Sequence, residues 1–231
     1  MAASPEQFLA SSVRSRPEID YRFSWGTYIG WTILTFGIYS HYATYRMVER
    51  RTEHGKRRLA FSAYLWQVLA ARADAAGKRE LVQPGLDNLS RVHAEIESHE
   101  RRNKREPALW AVLRFIVSVV GAYVNHFLNK DFRYLETWEA SLAENAEWVM
   151  QRLDMPVAIP KAAHRTPDRS TGLYVTLSIV TFGLFTIWWR YALMKDGNEH
   201  FDAEDAVEDA IMRALGITPQ SMPLSPPMPP V

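Results

Sequence analysis

Three long apolar stretches dominate the pattern of polar and apolar positions along the chain. Residues 23–45 and 170–189 contain no Asp, Glu, Lys or Arg, and residues 108–129 contain only Arg114. A helix that crosses a bilayer needs ~20 consecutive, mostly apolar residues. The pattern therefore predicts an all-α, multi-pass integral membrane protein with about three spans, at residues 23–46, 107–129 and 170–193.

The remaining segments have patterns of their own. We predict an N-terminal segment (1–22), a basic helical loop (47–106) and a helix with a linker (130–169). An acidic amphipathic helix (194–216) and a proline-rich disordered tail (217–231) are predicted to follow the last span. Within the loop, 59–71 is too short to cross a bilayer and is predicted to be interfacial or re-entrant. Asp87 is expected to cap a helix that starts after Pro84 and Gly85.

Two of the predicted spans are similar in sequence. Residues 24–54 align without gaps to residues 170–200, at a shift of 146 residues. The identical positions, numbered in the first copy, are Ser24, Gly26, Tyr28, Ile33, Thr35, Phe36, Gly37, Tyr45, Glu53 and His54. Matched residues this diverse in chemistry indicate an internal repeat rather than low complexity.

The phrase Thr-Phe-Gly-Ile-Tyr at 35–39, followed by aromatic residues and a charged helix, resembles the bacterial membrane family called domain of unknown function 4234. Members of that family often carry tandem copies. The likeness covers about 31 residues per copy, and weakly a third segment at 119–132. A second uncharacterised membrane family, with a Leu-Gly-Ile-Tyr helix end, is less similar. The resemblance implies a multi-pass membrane protein and implies no activity.

Small residues share one helical face in both copies, because helical offsets of 4, 7 and 11 residues bring side chains together. They are Gly26, Gly30 and Gly37, and then Gly172, Thr176 and Gly183. Spans associate in lipid through close packing of such residues. The face is therefore expected to pack the first span on the last, or to form an oligomer interface.

The middle span carries a polar stripe. Arg114, Ser118, Gly121 and Asn125 fall on one helical face. Intramembrane charges normally face a bundle interior or a water-filled cavity. Alternatively, Arg114 extends to the interface and Asn125 bonds a neighbouring helix.

Charge sets the predicted orientation. The net charge is +1, but basic residues flank the 47–106 loop: Arg46, Arg50, Arg51, Lys56, Arg57, Arg58, Arg101, Arg102, Lys104 and Arg105. The positive-inside rule places this loop and the C-terminus in the cytoplasm, at a bacterial inner membrane. The N-terminus lacks the apolar region of a secretory signal. Acids from Asp202 to Asp209 are expected near the N-terminus of the last helix.

The sequence offers little chemistry. Without cysteine there is no thiol catalysis. His93, Glu97 and Glu100 have a spacing that metal ligands can use, but a solvated helix face is the preferred interpretation. The pair Glu-His recurs at 53–54 and 199–200, where we favour local hydrogen bonding over catalysis. We expect no enzyme, no cofactor and no nucleic-acid partner.

These patterns predict a non-enzymatic integral membrane scaffold that anchors or assembles protein partners. The expected partners are the lipid bilayer and either other proteins or further copies of the chain. The tail has six prolines within residues 218–231 and is either a docking segment or a disordered end. A small channel or transporter built around the polar stripe is the alternative.

Overall fold

The computed structural model describes residues 4–116, 120–155, 157–161 and 166–218. The helices there are α1 (Pro5–Arg14), α2 (Arg16–Ile19), α3 (Trp25–Leu34), α4 (Tyr39–Ala75), α5 (Arg79–Arg102), α6 (Pro107–Ile116), α7 (Val120–Arg152), α8 (Thr171–Val180) and α9 (Leu184–Ala214). The predicted all-α class is confirmed. The predicted membrane-spanning class is wrong, because no helix in these ranges combines the length and apolarity needed to cross a bilayer.

Each predicted span is a helical hairpin. We call 25–46 the first hairpin (α3 and the start of α4), 107–129 the middle hairpin (α6 and the start of α7) and 171–193 the last hairpin (α8 and the start of α9). The first one turns at Phe36 and Gly37, whose φ angles are 48° and 91°. Two consecutive left-handed residues end a right-handed helix. Apolar runs of membrane length therefore fold back on themselves, which removes the basis for the predicted integral-membrane location.

The helices that leave the hairpins are longer than predicted. Helix α4 continues for 37 residues to Ala75, so residues 59–71 are its second half. That half is buried in the core and is neither interfacial nor re-entrant; its buried apolar residues include Leu59, Phe61, Leu65, Val68 and Leu69. Helix α7 joins the middle hairpin to the predicted helix of 130–169 without a break. The acids from Asp202 to Asp209 lie within α9 rather than at its N-terminus.

The long helices α4, α7 and α9 run in the same direction. The hydroxyl of Thr44 accepts a hydrogen bond from Arg190 at 2.7 Å. Ten residues further along each helix, the imidazole rings of His54 and His200 are 5.3 Å apart. Helix α7 runs alongside them in this direction, since Asp131 lies 3.2 Å from Arg51 and Glu139 lies 3.2 Å from Arg58. The N-terminal ends of these helices therefore lie at one end of the molecule.

Two apolar cores stack along these helices. The smaller core joins the hairpins and includes Tyr28, Met47, Phe127 and Trp189. The larger core lies at the far end and packs α1, α5 and the C-terminal halves of α4, α7 and α9. Charged residues on the long helices separate the cores. We call this set the ionic layer; its buried members on α4, α7 and α9 are Arg50, Arg51, His54, Arg57, Arg58, Asp131, Glu139, Asp196, His200, Glu204 and Glu208.

The ionic layer explains why the charge-based orientation was wrong. Arg51 is 1% exposed and forms a two-pronged ion pair with Glu100, with both N···O distances at 2.7 Å. Arg57 is also 1% exposed and pairs with Asp20 and Glu208, each at 2.8 Å. These arginines are internal structural charges. They do not belong to a solvated loop, so the positive-inside rule does not apply to them.

Helix α5 contains a glycine that packs closely against a neighbouring helix. The helix begins at Arg79, so Pro84 and Gly85 lie inside it and Asp87 is not its cap. A Cβ atom at Gly85 would come within 2.6 Å of both Trp148 and Val149 of α7. Four apolar residues that share a face of this helix are also buried: Leu86, Leu89, Val92 and Ile96.

We expect Gly85→Ala to lower the free energy of unfolding by about 1–3 kcal/mol, because overpacking displaces α7. Gly26→Ala is the matched control, since a Cβ there meets no atom within 4 Å. The control should be neutral or slightly stabilising, because alanine favours helix. Urea denaturation of the two purified variants measures the difference. Equal stability would contradict the close packing of α5 on α7.

Candidate functional site

The three hairpins carry an exposed apolar surface at their tips. Among the described residues, every large hydrophobic side chain classed as exposed belongs to a hairpin, except Leu81 and Tyr134. The most exposed are Phe36 at 98% and Phe182 at 99%. Other members are Trp31, Ile33, Leu34, Ile38, Leu109, Val112, Phe115, Ile116, Ile179, Val180, Leu184 and Ile187. Exposed apolar side chains gathered in this way are typical of an interaction site.

The first tip satisfies its own backbone polar groups. The N–H of Gly37 donates to Thr32 O at 2.7 Å, and that of Phe36 donates to Ile33 O at 3.1 Å. Thr35 bridges the two helices, since its hydroxyl donates to Trp31 O at 2.7 Å and accepts from Tyr39 N at 2.9 Å. These backbone groups at the turn need no water.

The last tip repeats this arrangement atom for atom. Gly183 N donates to Ser178 O at 2.7 Å, while the Thr181 hydroxyl donates to Leu177 O and accepts from Phe185 N. The base of each hairpin is also the same, because Ser24 and Ser170 cap α3 and α8 with their hydroxyls. The two similar sequence segments therefore adopt one local structure.

Both tips hold a phenylalanine in an unfavourable backbone conformation. Phe36 and Phe182 have φ angles of 48° and 51°. A left-handed residue with a Cβ costs roughly 1–2 kcal/mol. Neither ring gains burial within the chain to offset that cost. The hairpins thus present a strained aromatic side chain outward at two equivalent positions.

Beneath the tips, part of the predicted polar stripe meets α4. Arg114 donates to Ser40 O at 2.7 Å and also to the Thr44 hydroxyl. A Cβ at Gly121 would lie 3.1 Å from Arg114 Nε, so that glycine leaves room for the arginine. Asn125 is 1% exposed. Ser118 lies outside the described residues. The stripe packs the middle hairpin against the first one.

The predicted glycine packing face is wrong for contacts within the chain. A Cβ at Gly26, Gly30 or Gly172 would meet no atom within 4 Å. Thr176 is exposed, and its hydroxyl donates to Gly172 O at 3.0 Å. Gly37 and Gly183 are needed for their positive φ angles, as two short turns require, and not for close approach of another helix.

Comparison with known proteins addresses the last hairpin and the helix that follows it. The model of a family described as a domain of unknown function, DUF4234, matches residues 169–218. No curated protein and no solved structure matches the chain. The family resemblance found in the sequence is thereby confirmed for this segment, and it supplies no activity.

The DUF4234 segment also contributes to the ionic layer, through two of the acids that the sequence analysis placed at the start of the last helix. Glu208 is fully buried and pairs with Arg16, Arg57 and Arg58. Glu204, four residues earlier, pairs with Arg58. Burial, together with the charges of Glu139 and Glu208, raises the pKa of Glu204 to about 8, although Arg58 opposes this.

The recurring histidines meet in the centre of the ionic layer. His54 Nδ1 lies 2.8 Å from Asp20, and its Nε2 faces Glu139. Burial lowers the pKa of His54, but Asp20 and Glu139 outweigh burial and raise it to about 9. His200 Nε2 approaches the other Glu139 oxygen at 3.5 Å. Local pairing holds for the two glutamates, since Glu53 pairs with Lys56 and Glu199 with Lys195. It is wrong for the histidines, whose partners come from other segments of the chain.

The weaker metal candidate is dispersed. His93 contacts the Ser62 hydroxyl at 2.8 Å, Glu97 pairs with Arg101, and Glu100 pairs with Arg51. Within the described ranges, the set of at least three His or carboxylate ligands close enough for one ion is His54, Glu139 and His200. The recurrence of His at equivalent repeat positions was the available signal for that set.

Proposed function

We propose that this chain attaches to the surface of a lipid bilayer, with its three hairpin tips inserted into one leaflet. It acts there as a non-enzymatic anchor that holds its larger core, and any protein bound to that core, at the membrane. The exposure of Phe36 and Phe182, in strained and equivalent turns, is the observation that carries this proposal.

The size of the hairpins suits one leaflet. Helices α3, α6 and α8 each have 10 residues. At 1.5 Å per residue such an arm is about 15 Å long. That is about half of the roughly 30 Å hydrocarbon thickness of a bilayer.

The chemistry of the tips also favours lipid over water. In hydrocarbon each backbone polar group needs a partner inside the protein. The Thr35 and Thr181 hydroxyls, with the bonds across each turn, supply such partners at the first and last tips. Tyr42, Trp188 and Tyr191 lie nearer the hairpin bases and suit the interfacial level, where aromatic rings are enriched.

A channel is not proposed. That alternative depended on a middle span that crosses the bilayer. Helices α6 and α7 pack on each other instead, with Trp110 and Phe127 ring centroids 5.1 Å apart.

A single fluorescent label tests the proposal. The chain has no cysteine, so Phe182→Cys gives one attachment site for an environment-sensitive dye. Adding phosphatidylcholine vesicles should shift its emission to the blue, and the shift should persist in ~1 M salt because apolar contact is not screened. The matched control is Leu81→Cys, an exposed apolar position in α5, where no shift is expected.

Two outcomes would overturn the proposal. One is an unchanged emission from the tip label at all vesicle concentrations, which would leave a protein partner as the occupant of the tips. The other is an equal shift at both positions, which would indicate non-specific adsorption of the whole chain.

A further inference from the structure

Three side chains from three different helices converge in the ionic layer. His54 of α4, Glu139 of α7 and His200 of α9 place their ligand atoms within 4.8 Å of one another. The distance from His54 Nε2 to Glu139 Oε1 is 3.3 Å, and from His200 Nε2 to Glu139 Oε2 it is 3.5 Å. The second of these distances is close to the roughly 3.3 Å that separates ligand atoms around a tetrahedral ion with bonds of about 2.0–2.1 Å.

The outer partners suit metal ligation. His54 Nδ1 lies 2.8 Å from the Asp20 carboxylate, and His200 Nδ1 lies 3.6 Å from that of Glu136. A carboxylate behind the imidazole fixes the ring so that its other nitrogen faces the metal. Both histidines thus turn Nε2 toward the same point.

One ligand atom lacks any other use. His200 is 3% exposed, and its Nε2 makes no hydrogen bond. A buried ring nitrogen without a partner is costly. Glu139 is divided between two roles, since Arg58 Nε lies 3.2 Å from Oε1 while Oε2 faces His200. Oε2 is therefore the oxygen available to an ion.

We propose that His54, Glu139 and His200 bind one divalent transition-metal ion of the zinc class. Two imidazoles and one carboxylate are a ligand set that zinc uses. The three residues are at most 4% exposed, so an ion held by them would be shielded from bulk solvent, with a water molecule in the fourth position of the tetrahedron. An ion there ties α4, α7 and α9 together at one level and fixes the relative positions of the three hairpins above it.

Cobalt provides the test, because its visible absorption reports coordination directly. The purified full-length chain, freed of metal by dialysis against a chelator, is titrated with Co²⁺ and then with Zn²⁺. We expect one Co²⁺ per chain, visible absorption bands typical of a tetrahedral site, and loss of those bands when Zn²⁺ displaces cobalt.

Variants assign the ligands. His54→Gln and His200→Gln should each weaken Co²⁺ binding by at least about tenfold, the lower end of what losing even an outer-shell partner costs. His93→Gln should bind as the wild type does, because His93 pairs with Ser62 away from the site. Circular dichroism establishes that each variant is folded.

The wild-type titration decides the matter even if a ligand variant does not fold. A wild-type chain that binds no Co²⁺ would overturn the proposal. Binding that survives in folded His54→Gln and His200→Gln would also overturn it, by placing the ion elsewhere.

Discussion

Replacing Glu208 by glutamine is expected to lower the free energy of unfolding by about 3–5 kcal/mol, the cost of removing one partner from a buried ion pair. Glu208 is fully buried and lies 2.5 Å from Arg16 and 2.8 Å from Arg57. Glutamine keeps the volume but leaves these guanidinium groups without their shared counter-charge. Urea denaturation at pH 7 measures the loss.

The pH dependence has a definite sign. Burial alone would raise the pKa of Glu208, but Arg57, Arg58 and Arg16 outweigh burial and hold its pKa well below the usual value of 4.5. The stabilisation is therefore fully present above pH 4.5 and is lost as the pH falls toward the folded-state pKa. The difference between wild type and Glu208→Gln should shrink on acidification.

Glu53→Gln is the control for this prediction. Glu53 pairs with Lys56 on the surface of α4, with both side chains substantially exposed. Its loss should change the free energy of unfolding by no more than about 0.5 kcal/mol. If Glu208→Gln is as mild as this control, the charges around Glu208 are not desolvated as described.

A double substitution at the tips should abolish most membrane attachment. Burying one phenylalanine contributes about 1.5–3 kcal/mol, so Phe36→Asp with Phe182→Asp should reduce vesicle partitioning by at least about 100-fold. Flotation of the purified chain with phosphatidylcholine vesicles measures the partition coefficient. Folding should be unharmed, because aspartate tolerates the left-handed conformation better than phenylalanine.

The control for the double variant is Leu81→Asp, which adds a negative charge at an exposed apolar position outside the hairpins. It should partition as the wild type does, apart from a small effect of net charge. If the double variant also floats normally, the tips are not the attachment site.

The sequence correctly predicted that the apolar runs are helical, but it did not predict where those helices end. A run such as 23–45 has the same composition whether it crosses a bilayer or turns back at Phe36 and Gly37. Glycine is tolerated inside membrane helices, so Gly37 alone does not mark a break. The hydrogen bonds that Thr35 makes to both helices and the left-handed φ angle of Phe36 cannot be predicted from the composition of the run.

The buried charges were hidden from the sequence in a similar way. Arg57 and Arg58 read as a basic surface because their partners, Asp20 and Glu208, are distant along the chain. The alignment of the two copies did contain a usable signal. His54 and His200 occupy equivalent positions of the two copies, and their rings lie 5.3 Å apart where the helices that carry them pack side by side.

The side-by-side packing of the two copies has a consequence for assembly. Contacts between equivalent positions join unlike residues, with Thr44 against Arg190 and Arg58 against Glu204. If the first copies of two chains packed on each other in the same way, Arg58 would face Arg58, and two desolvated like charges would oppose the pairing. Divergence at these few positions therefore favours the pairing of a first copy with a second copy and opposes the pairing of two first copies.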